Sequence, residues 1–254
     1  MIVNAEGIVL RQRKIANNRR MIEIFTKQYG KISAGTSINE RGRNRSALAL
    51  RPFTYADYDI FKGREAYSIN SASVLHSYYA IGEDINKYMT AAAFIEYLEK
   101  VLEEGEAMPK LFELSLKFME SVSRTEGNPE TLLYAFIVKS LKMLGVMPEL
   151  TCCVGCGKEE GQIEDPKIFS VSSGGIICPE CAEIEKTEPT SLLYRPAFDI
   201  MGVFRYFDSK PLQTFEKVSL KSDVNRDVKD ILGAYTERYL GVNVLNSAKQ
   251  TEVL

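Results

Sequence analysis

The sequence of 254 residues has no tryptophan, one histidine and no run of eighteen apolar residues. The shortage of histidine leaves few groups that titrate near neutral pH and act as a general base. The lack of a long apolar run excludes a membrane-spanning helix, and the first twenty residues do not follow the basic-then-apolar order of a signal peptide. We therefore expect a cytoplasmic protein with no membrane partner.

Catalytic groups are also scarce. The single histidine, His76, lies where strand-like sequence gives way to helix-like sequence, a position that favours a structural hydrogen bond. The acidic residues Glu103, Glu104 and Glu106 follow a helical segment and indicate a solvated helix end. No glycine-rich loop of the Walker or dinucleotide-binding type is present. Because no nucleophile, base and orienting group can be combined, we predict that the protein is not an enzyme.

Charge is distributed unevenly along the chain. Residues 1–64 carry thirteen Lys or Arg and five acidic residues, a net charge of +8, whereas the other 190 residues carry 19 basic and 29 acidic groups, a net charge of −10. A basic N-terminal module predicts a polyanionic partner. The candidate DNA-binding residues flank the first strand connection and occupy a later loop: Arg11, Arg13, Lys14, Arg19, Arg20, Arg41, Arg43, Arg45 and Arg51. Nearby rings either fill the interior or stack on bases: Phe25, Tyr29, Phe53, Tyr55 and Tyr58.

The first 70 residues predict short β-strands. The strand-like runs are separated by Gly, Asn and basic connections, which is typical of a small barrel. An irregularity is expected at Ala56–Asp57, where the alternation of apolar and polar residues is interrupted. The predicted strands are residues 6–12, 20–26, 30–36, 53–61 and 66–70.

From about residue 73 the apolar period changes to 3.6, which predicts helices. A second helix begins at Pro109, a third follows the N-cap Asn128, and Gly145 ends the third. Two later helical stretches, 196–207 and 223–241, are expected to pack back onto this bundle. The first helix of the region is marked by apolar residues at helical spacing: Ile85, Tyr88, Met89, Ala92, Ile95 and Leu102.

Four of the five cysteines form two CxxC pairs, Cys153/Cys156 and Cys178/Cys181, separated by 21 residues. Zn²⁺ takes four tetrahedral ligands, and each CxxC turn offers two thiolates. Four thiolates fill the coordination sphere, so the pattern predicts a structural zinc site and not a catalytic one. Cys152 is a neighbour that can substitute as a ligand. Metal-free cysteines and redox-active thiols are the two alternatives.

Four stretches together resemble the RecO family of bacterial recombination mediators. The similarity spans roughly residues 4–245 and includes the order of a strand, a basic turn and IFTKQYGKIS, with LGVMPEL directly before the first CxxC pair. The stretches are GIVLRQRKIANNRRMIEIFTKQYGKISA, RPFTYADYDIF, LLYAFIVKSLKMLGVMPELTCCVGCG and GGIICPEC.

The resemblance implies an α+β multidomain fold. It combines an OB-fold β-barrel, an α-helical bundle domain and an inserted four-cysteine zinc finger. The expected boundaries are 1–72 for the barrel, 73–150 with 186–245 for the helical domain, 151–185 for the zinc insertion and 246–254 for a disordered tail.

The resemblance also implies a non-enzymatic activity in recombinational repair. The family's properties include binding of single- and double-stranded DNA, annealing of complementary strands, and binding of single-strand binding protein, whose C-terminal tail we expect to dock between helices. They also include joining RecR to load RecA, which implies a nucleoid-associated protein. An alternative is an adaptor whose basic barrel docks a protein partner, with DNA binding incidental. A zinc-ribbon enzyme acting on RNA is a third hypothesis, disfavoured by the missing catalytic groups.

Overall fold

The chain forms two compact units, the first ending at Arg124 and the second beginning at Thr125. The computed structural model describes residues 1–15, 19–38, 45–63, 66–164 and 168–245. The tail expected to be disordered, 246–254, lies outside the described residues. The domain boundaries inferred from the sequence stay a prediction.

Five strands close into a barrel in the first unit, which confirms the N-terminal barrel expected from the sequence. The strand order around the barrel is β1-β2-β3-β5-β4. Neighbouring strands are antiparallel except β3 and β5, which pair in parallel and complete the ring. The strands are β1 Ile2–Lys14, β2 Arg20–Thr26, β3 Gly30–Thr36, β4 Thr54–Lys62 and β5 Tyr67–Ser77, with a short helix, α1 Arg45–Leu48, between β3 and β4.

The barrel closes around side chains that alternate along each strand. In β3 the buried and half-buried positions alternate without a break, as the period of two requires. Gly7 permits a close approach of β1 to β2, because a Cβ at this position would lie 2.6 Å from Cγ2 of Ile24. The pairing of β4 with β5 shifts register between Tyr55 and Ala56, close to the irregularity expected there. The alternation of apolar and polar residues in the sequence therefore corresponds to side chains that point alternately into and out of the barrel core.

Two long helices complete the first unit after a 3₁₀ helix at Tyr79–Glu83. They are α2 Ile85–Val101 and α3 Pro109–Arg124. Asp84 caps α2 by accepting hydrogen bonds from the backbone amides of its first turn. The ring of Phe112 in α3 packs edge-on against the barrel residue Phe25 at 5.3 Å. The helices therefore cover part of the barrel wall.

The buried face of α2 differs from the face expected from the sequence. The helix buries Ala91, Phe94 and Leu98, and the ring of Phe94 stacks on Phe118 of α3 at 4.3 Å. The predicted marker residues at its start are exposed instead, with Ile85 at 70%, Tyr88 at 45% and Met89 at 48% of their full area. Both stripes of α2 are apolar, so periodicity alone could not choose between them.

The second unit is built on a buried central helix, α4 Pro129–Met143. Asn128 caps α4 as expected, because its side chain accepts a hydrogen bond from the backbone amide of Glu130. Aromatic contacts from α6 and the following 3₁₀ helix fill the space beside it, with Phe207 and Phe215 at 5.3 Å. The remaining helices are α5 Pro179–Glu185, α6 Ile200–Ser209 and α7 Ser222–Leu240, with 3₁₀ helices at Glu160–Gln162 and Leu212–Phe215.

The cysteine segment carries a small sheet of its own. Its strands are β6 Phe169–Ser170, β7 Gly175–Ile176 and β8 Leu193–Tyr194, in the order β7-β6-β8. A strand, a glycine turn and a second strand thus precede the second CxxC pair, and Gly174 adopts φ +85° in the turn. Among the described residues, none of the helices has the length and apolar content needed to span a membrane.

Candidate nucleic-acid interface and metal centre

The basic residues at the end of β1 lie on an exposed hairpin end. Arg13 pairs with Met21 and Lys14 with Arg20 across the two strands, and the Ile15 amide donates a hydrogen bond to the Arg19 carbonyl at 2.9 Å. Residues 11–15 and Arg19 are all exposed. Because side chains alternate along a strand, Arg13 and Lys14 point to opposite faces of the hairpin. The hairpin therefore presents positive charge on both faces.

These basic groups differ in their partners. Arg11 forms an ion pair with Glu99 of α2 at 2.6 Å, and Arg13 lies 3.7 Å from Glu23 on the neighbouring strand. Lys14 and Arg19 form no ion pair with any other residue that the structure describes. Exposed ion pairs are worth little in water, so Arg11 and Arg13 remain able to exchange their carboxylates for phosphates.

The other predicted DNA-binding residues are placed differently. Arg20 is only 5% exposed and donates a hydrogen bond to the carbonyl oxygen of Ile38, so a structural role suits it better than a phosphate contact. Arg51 is exposed and follows α1 by three residues. Arg41 and Arg43 lie outside the described residues, as does the side chain of Arg45.

Most of the aromatic residues proposed for stacking fill the interior. Phe25 and Tyr58 are fully buried, and the hydroxyl of Tyr58 donates a hydrogen bond to the Ala49 carbonyl at 2.7 Å. Burial raises the pKa of Tyr58, so this hydroxyl stays protonated. Tyr29 is half-buried at the opposite end of β2, where Lys62 lies 6.0 Å from its ring centre. Phe53 alone of the five lines an open cleft.

Acidic groups form a separate patch on the β1–β4 face of the barrel. Asn4 donates hydrogen bonds to Asp57 at 3.0 Å and to Asp59 at 3.4 Å. The Tyr55 hydroxyl donates to Glu6 at 2.5 Å, and its pKa is raised by burial and by this carboxylate. This face of the barrel therefore presents acidic groups, in contrast to the hairpin end.

The four cysteines of the two CxxC pairs come together. The Sγ atoms of Cys153, Cys156, Cys178 and Cys181 all lie within 4.8 Å of one another. The first pair sits in a turn closed by a hydrogen bond from the Gly157 amide to the Cys153 carbonyl at 2.8 Å, with Gly157 at φ +76°. The second pair occupies the start of α5, where Cys178 is the N-cap. These four residues can hold one metal ion.

The geometry of the cluster fits a tetrahedral thiolate site. A Zn–S bond of about 2.3 Å places two tetrahedral ligands about 3.8 Å apart, and Cys156 Sγ lies 3.8 Å from Cys178 Sγ. The amides of Gly155 and Cys178 donate hydrogen bonds to Cys153 Sγ at 3.4 and 3.3 Å. Burial raises the pKa of Cys153, but backbone hydrogen bonds outweigh it and the pKa falls to about 6. Burial raises the pKa of the Cys178 and Cys181 thiols, so these two would lose their protons on binding a metal cation.

Cys152 stands apart from this cluster. It is half-buried, its backbone pairs with Glu159, and it is not one of the four residues that converge. Its side chain therefore offers a natural control for substitutions of the four.

Sequence comparisons address the family directly. Residues 1–78 match the family model described as "Recombination protein O N terminal", and residues 82–248 match "Recombination protein O C terminal". The chain belongs to the RecO family. A RecO relative from Alkaliphilus metalliredigens is 30% identical over 253 residues, which covers 98% of this chain and all of the relative. A RecO from Bacillus subtilis is 28% identical and covers 95% of this chain and 91% of its own length.

Both relatives are named "DNA repair protein RecO", so the resemblance inferred from the sequence is confirmed. Family membership makes this chain a DNA repair and recombination protein with a four-cysteine site that could bind metal. Two features of the structure could not be predicted from the sequence: the burial of Arg20 and the exposed apolar stripe at the start of α2. Both depend on packing partners distant in the chain.

Proposed function

We propose that this protein is a non-enzymatic recombination mediator that binds single- and double-stranded DNA and anneals complementary strands. The observation that carries the proposal is the exposed basic hairpin end, Arg11–Lys14 with Arg19, on a closed barrel of a RecO-family chain. With RecR, the protein would help load RecA onto DNA coated by single-strand binding protein. These partners follow from the family.

The charge pattern suits annealing. Two DNA strands repel each other through their phosphates, and a protein that neutralises several phosphates on each strand lowers this repulsion. Lys14 and Arg13 on opposite faces of the hairpin offer charge on two sides. Contacts to the backbone leave base edges free to pair, so no bond needs to be made or broken by the protein. This role agrees with the scarcity of catalytic groups in the sequence.

The four-cysteine cluster is proposed to hold a structural Zn²⁺ through Cys153, Cys156, Cys178 and Cys181. A four-thiolate site has no open position for water or substrate, so the ion would stabilise the fold of the second unit. Three small structural elements depend on the site: the turn at Gly157, the β6–β7 hairpin and α5. The ion would therefore hold the turn at Gly157 against the start of α5.

The test of DNA binding is fluorescence anisotropy of a labelled single-stranded oligonucleotide at several salt concentrations. The variant reverses three exposed basic residues of the barrel unit, Lys14→Glu, Arg19→Glu and Arg51→Glu. Each phosphate contact on a single strand contributes about 0.7 to the slope of log K against log salt. If all three residues contact phosphates, the slope becomes shallower by about 2 and binding weakens at every salt concentration.

The matched control reverses three exposed lysines of the second unit, Lys210→Glu, Lys217→Glu and Lys221→Glu, which changes the net charge by the same amount. The proposal expects nearly unchanged slope and affinity for the control. Equal weakening by both variants would indicate non-specific charge. Full binding by the barrel variant, with loss of binding to purified RecR, would favour the adaptor hypothesis instead.

The C-terminal tail of single-strand binding protein is a proposed partner of the helical region, where a groove between helices would hold it. A labelled tail peptide titrated with the protein at low salt should show saturable binding. Absence of saturable binding to the native tail would remove this partner.

A further inference from the structure

An open cleft lies in the first unit, where the start of β4 meets the end of β5. Its volume is about 460 Å³, within the range typical of small-ligand sites. Four aromatic residues line it: Phe53 from the β4 approach, the buried Tyr78, Tyr79 from the 3₁₀ helix and Tyr88 from α2. The predominantly apolar wall is completed by Leu48, the last residue of α1, and by Val74 of β5.

The cleft collects large apolar side chains that remain in contact with solvent. Tyr79 is 74% exposed, and Leu48 and Tyr88 are 47% and 45% exposed. The neighbouring residues Ile85 and Met89 of α2 extend the stripe that periodicity predicted to be buried. Scattered apolar residues on a surface are ordinary, but a set gathered around one concavity marks a binding site.

The backbone at Phe53 supports the same conclusion. Phe53 has φ +57° and is the only non-glycine residue with positive φ among the described residues. This conformation costs on the order of 1 kcal/mol or more for a residue with a side chain, and such outliers cluster at ligand sites. Its carbonyl accepts a hydrogen bond from the Tyr78 amide at 3.0 Å, which holds the strained residue in place. The strain directs an aromatic ring against Tyr88, at 5.7 Å and an interplanar angle of 89°.

The polar groups of the cleft suit a nucleotide. Arg51 lines the cleft, is exposed and forms no ion pair with any residue that the structure describes. A site with aromatic faces and an adjacent free guanidinium matches the two parts of a nucleotide, the base and the phosphate.

We propose that this cleft binds one unstacked nucleobase of single-stranded DNA, stacked on Tyr79 and Tyr88, with Arg51 at the adjacent phosphate. The proposal rests on the DNA-binding function above and names a base site for it. An apolar peptide would use the rings equally well, but it offers no partner for the guanidinium of Arg51. The cleft would hold a base out of the strand's own stack while the neighbouring bases stay available for pairing.

The test compares two oligonucleotides of equal charge, a 12-residue oligothymidylate and a 12-residue abasic strand. Wild-type protein is expected to bind the oligothymidylate more tightly than the abasic strand, because stacking adds to the phosphate contacts. The double variant Tyr79→Ala/Tyr88→Ala should weaken oligothymidylate binding roughly fivefold to 150-fold and leave abasic binding unchanged. The slope of log K against log salt should not change, since no charge is removed.

Two controls keep the result interpretable. Tyr79→Phe/Tyr88→Phe retains the rings and should bind both strands like the wild type. Tyr206→Ala removes an equally exposed tyrosine of the second unit, 45% exposed and also edge-on to a phenylalanine, and should change neither affinity. Unchanged abasic binding by the alanine variant also shows that its barrel is folded.

The outcomes separate the two proposals. If the wild type binds neither strand, the DNA-binding function itself fails. If it binds both strands equally, or if the alanine variant keeps the preference for oligothymidylate, the function stands and the base site is overturned. The alanine variant could instead lose the binding of an acidic peptide that ends in an aromatic residue and keep wild-type binding of DNA. That result would assign the cleft to a peptide and overturn the base site as well.

Discussion

Gly155 offers a sharp test of the metal centre, because it lies inside the first CxxC turn. A Cβ added here would lie 2.9 Å from both Cβ and Sγ of Cys181, and 3.8 Å from Sγ of Cys153. Ordinary contacts between non-bonded carbon atoms are about 3.5–4.0 Å. Gly155→Ala therefore requires Cys181 or the turn to move by roughly 0.6–1 Å.

A bound metal cannot absorb a displacement of this size. Metal–ligand distances hold within about 0.2 Å of their preferred values, so the strain passes to the backbone of the turn or breaks one Zn–S bond. Overpacking of this kind costs about 1–3 kcal/mol. If the cost falls on the metal-bound state, the dissociation constant for Zn²⁺ rises roughly fivefold to 150-fold.

The assay is competition for Zn²⁺ between the protein and a chromophoric chelator under reducing conditions, with stoichiometry from native mass spectrometry. Gly161→Ala is the control, because Gly161 belongs to the same segment and an added Cβ there meets nothing within 4 Å. The control should bind one Zn²⁺ with wild-type affinity. Equal affinities for the Gly155 and Gly161 variants would show that the four thiolates do not share an ion in the arrangement described here.

Three further predictions concern the metal, the core and pH. Cys178→Ser should abolish stoichiometric Zn²⁺ binding and lower the unfolding temperature, whereas Cys152→Ser should change neither. If the wild-type protein contains no metal and unfolds at the same temperature as the Cys178 variant, the structural-zinc proposal is contradicted. Phe112→Ala removes a fully buried ring that contacts Phe25 and Tyr55, so the free energy of unfolding in urea should fall by about 3–5 kcal/mol, and a loss below about 1 kcal/mol would contradict the packing. Hydrogen bonds from Thr151 lower the pKa of Glu149 in the folded state. The ionised Glu149 therefore contributes its full stabilisation above the ordinary carboxyl pKa of 4.5, and this stabilisation is lost as the pH falls through the lowered pKa. Glu149→Gln should make the free energy of unfolding fall less steeply with decreasing pH. An unchanged slope would refute the assignment.

Much of the fold follows from local sequence. The bounds of β2 and β3 agree with the predicted runs, because alternating apolar residues between turn-forming residues leave little choice of structure. Asn128 acts as predicted for the same reason, since a helix cap is satisfied within a few residues. Strand β5 extends to Ser77, well beyond the predicted end at residue 70, because its pairing with β4 continues there.

The candidate sites were predictable in unequal measure. The metal centre could be inferred in full from two CxxC pairs, since each pair is already close in the chain and only the approach of the two had to be supplied by the fold. The DNA-binding set could be inferred only as a group. Charge count does not reveal that Arg20 is buried against Ile38 or that Arg11 pairs with Glu99 of α2.

The sequence by itself determined the elements, their caps, the two thiolate pairs and the basic character of the first 64 residues, because each depends on neighbours in the chain. Tertiary structure decided which side of each element meets solvent. Helix α2 is apolar on more than one side, and its packing partners, among them Phe118 stacked on Phe94, selected the buried face. The choice left Tyr88 beside Phe53 and Tyr79 in an open cleft. Burial depends on the partner surface as well as on the helix, so the local sequence pattern cannot predict which face is buried.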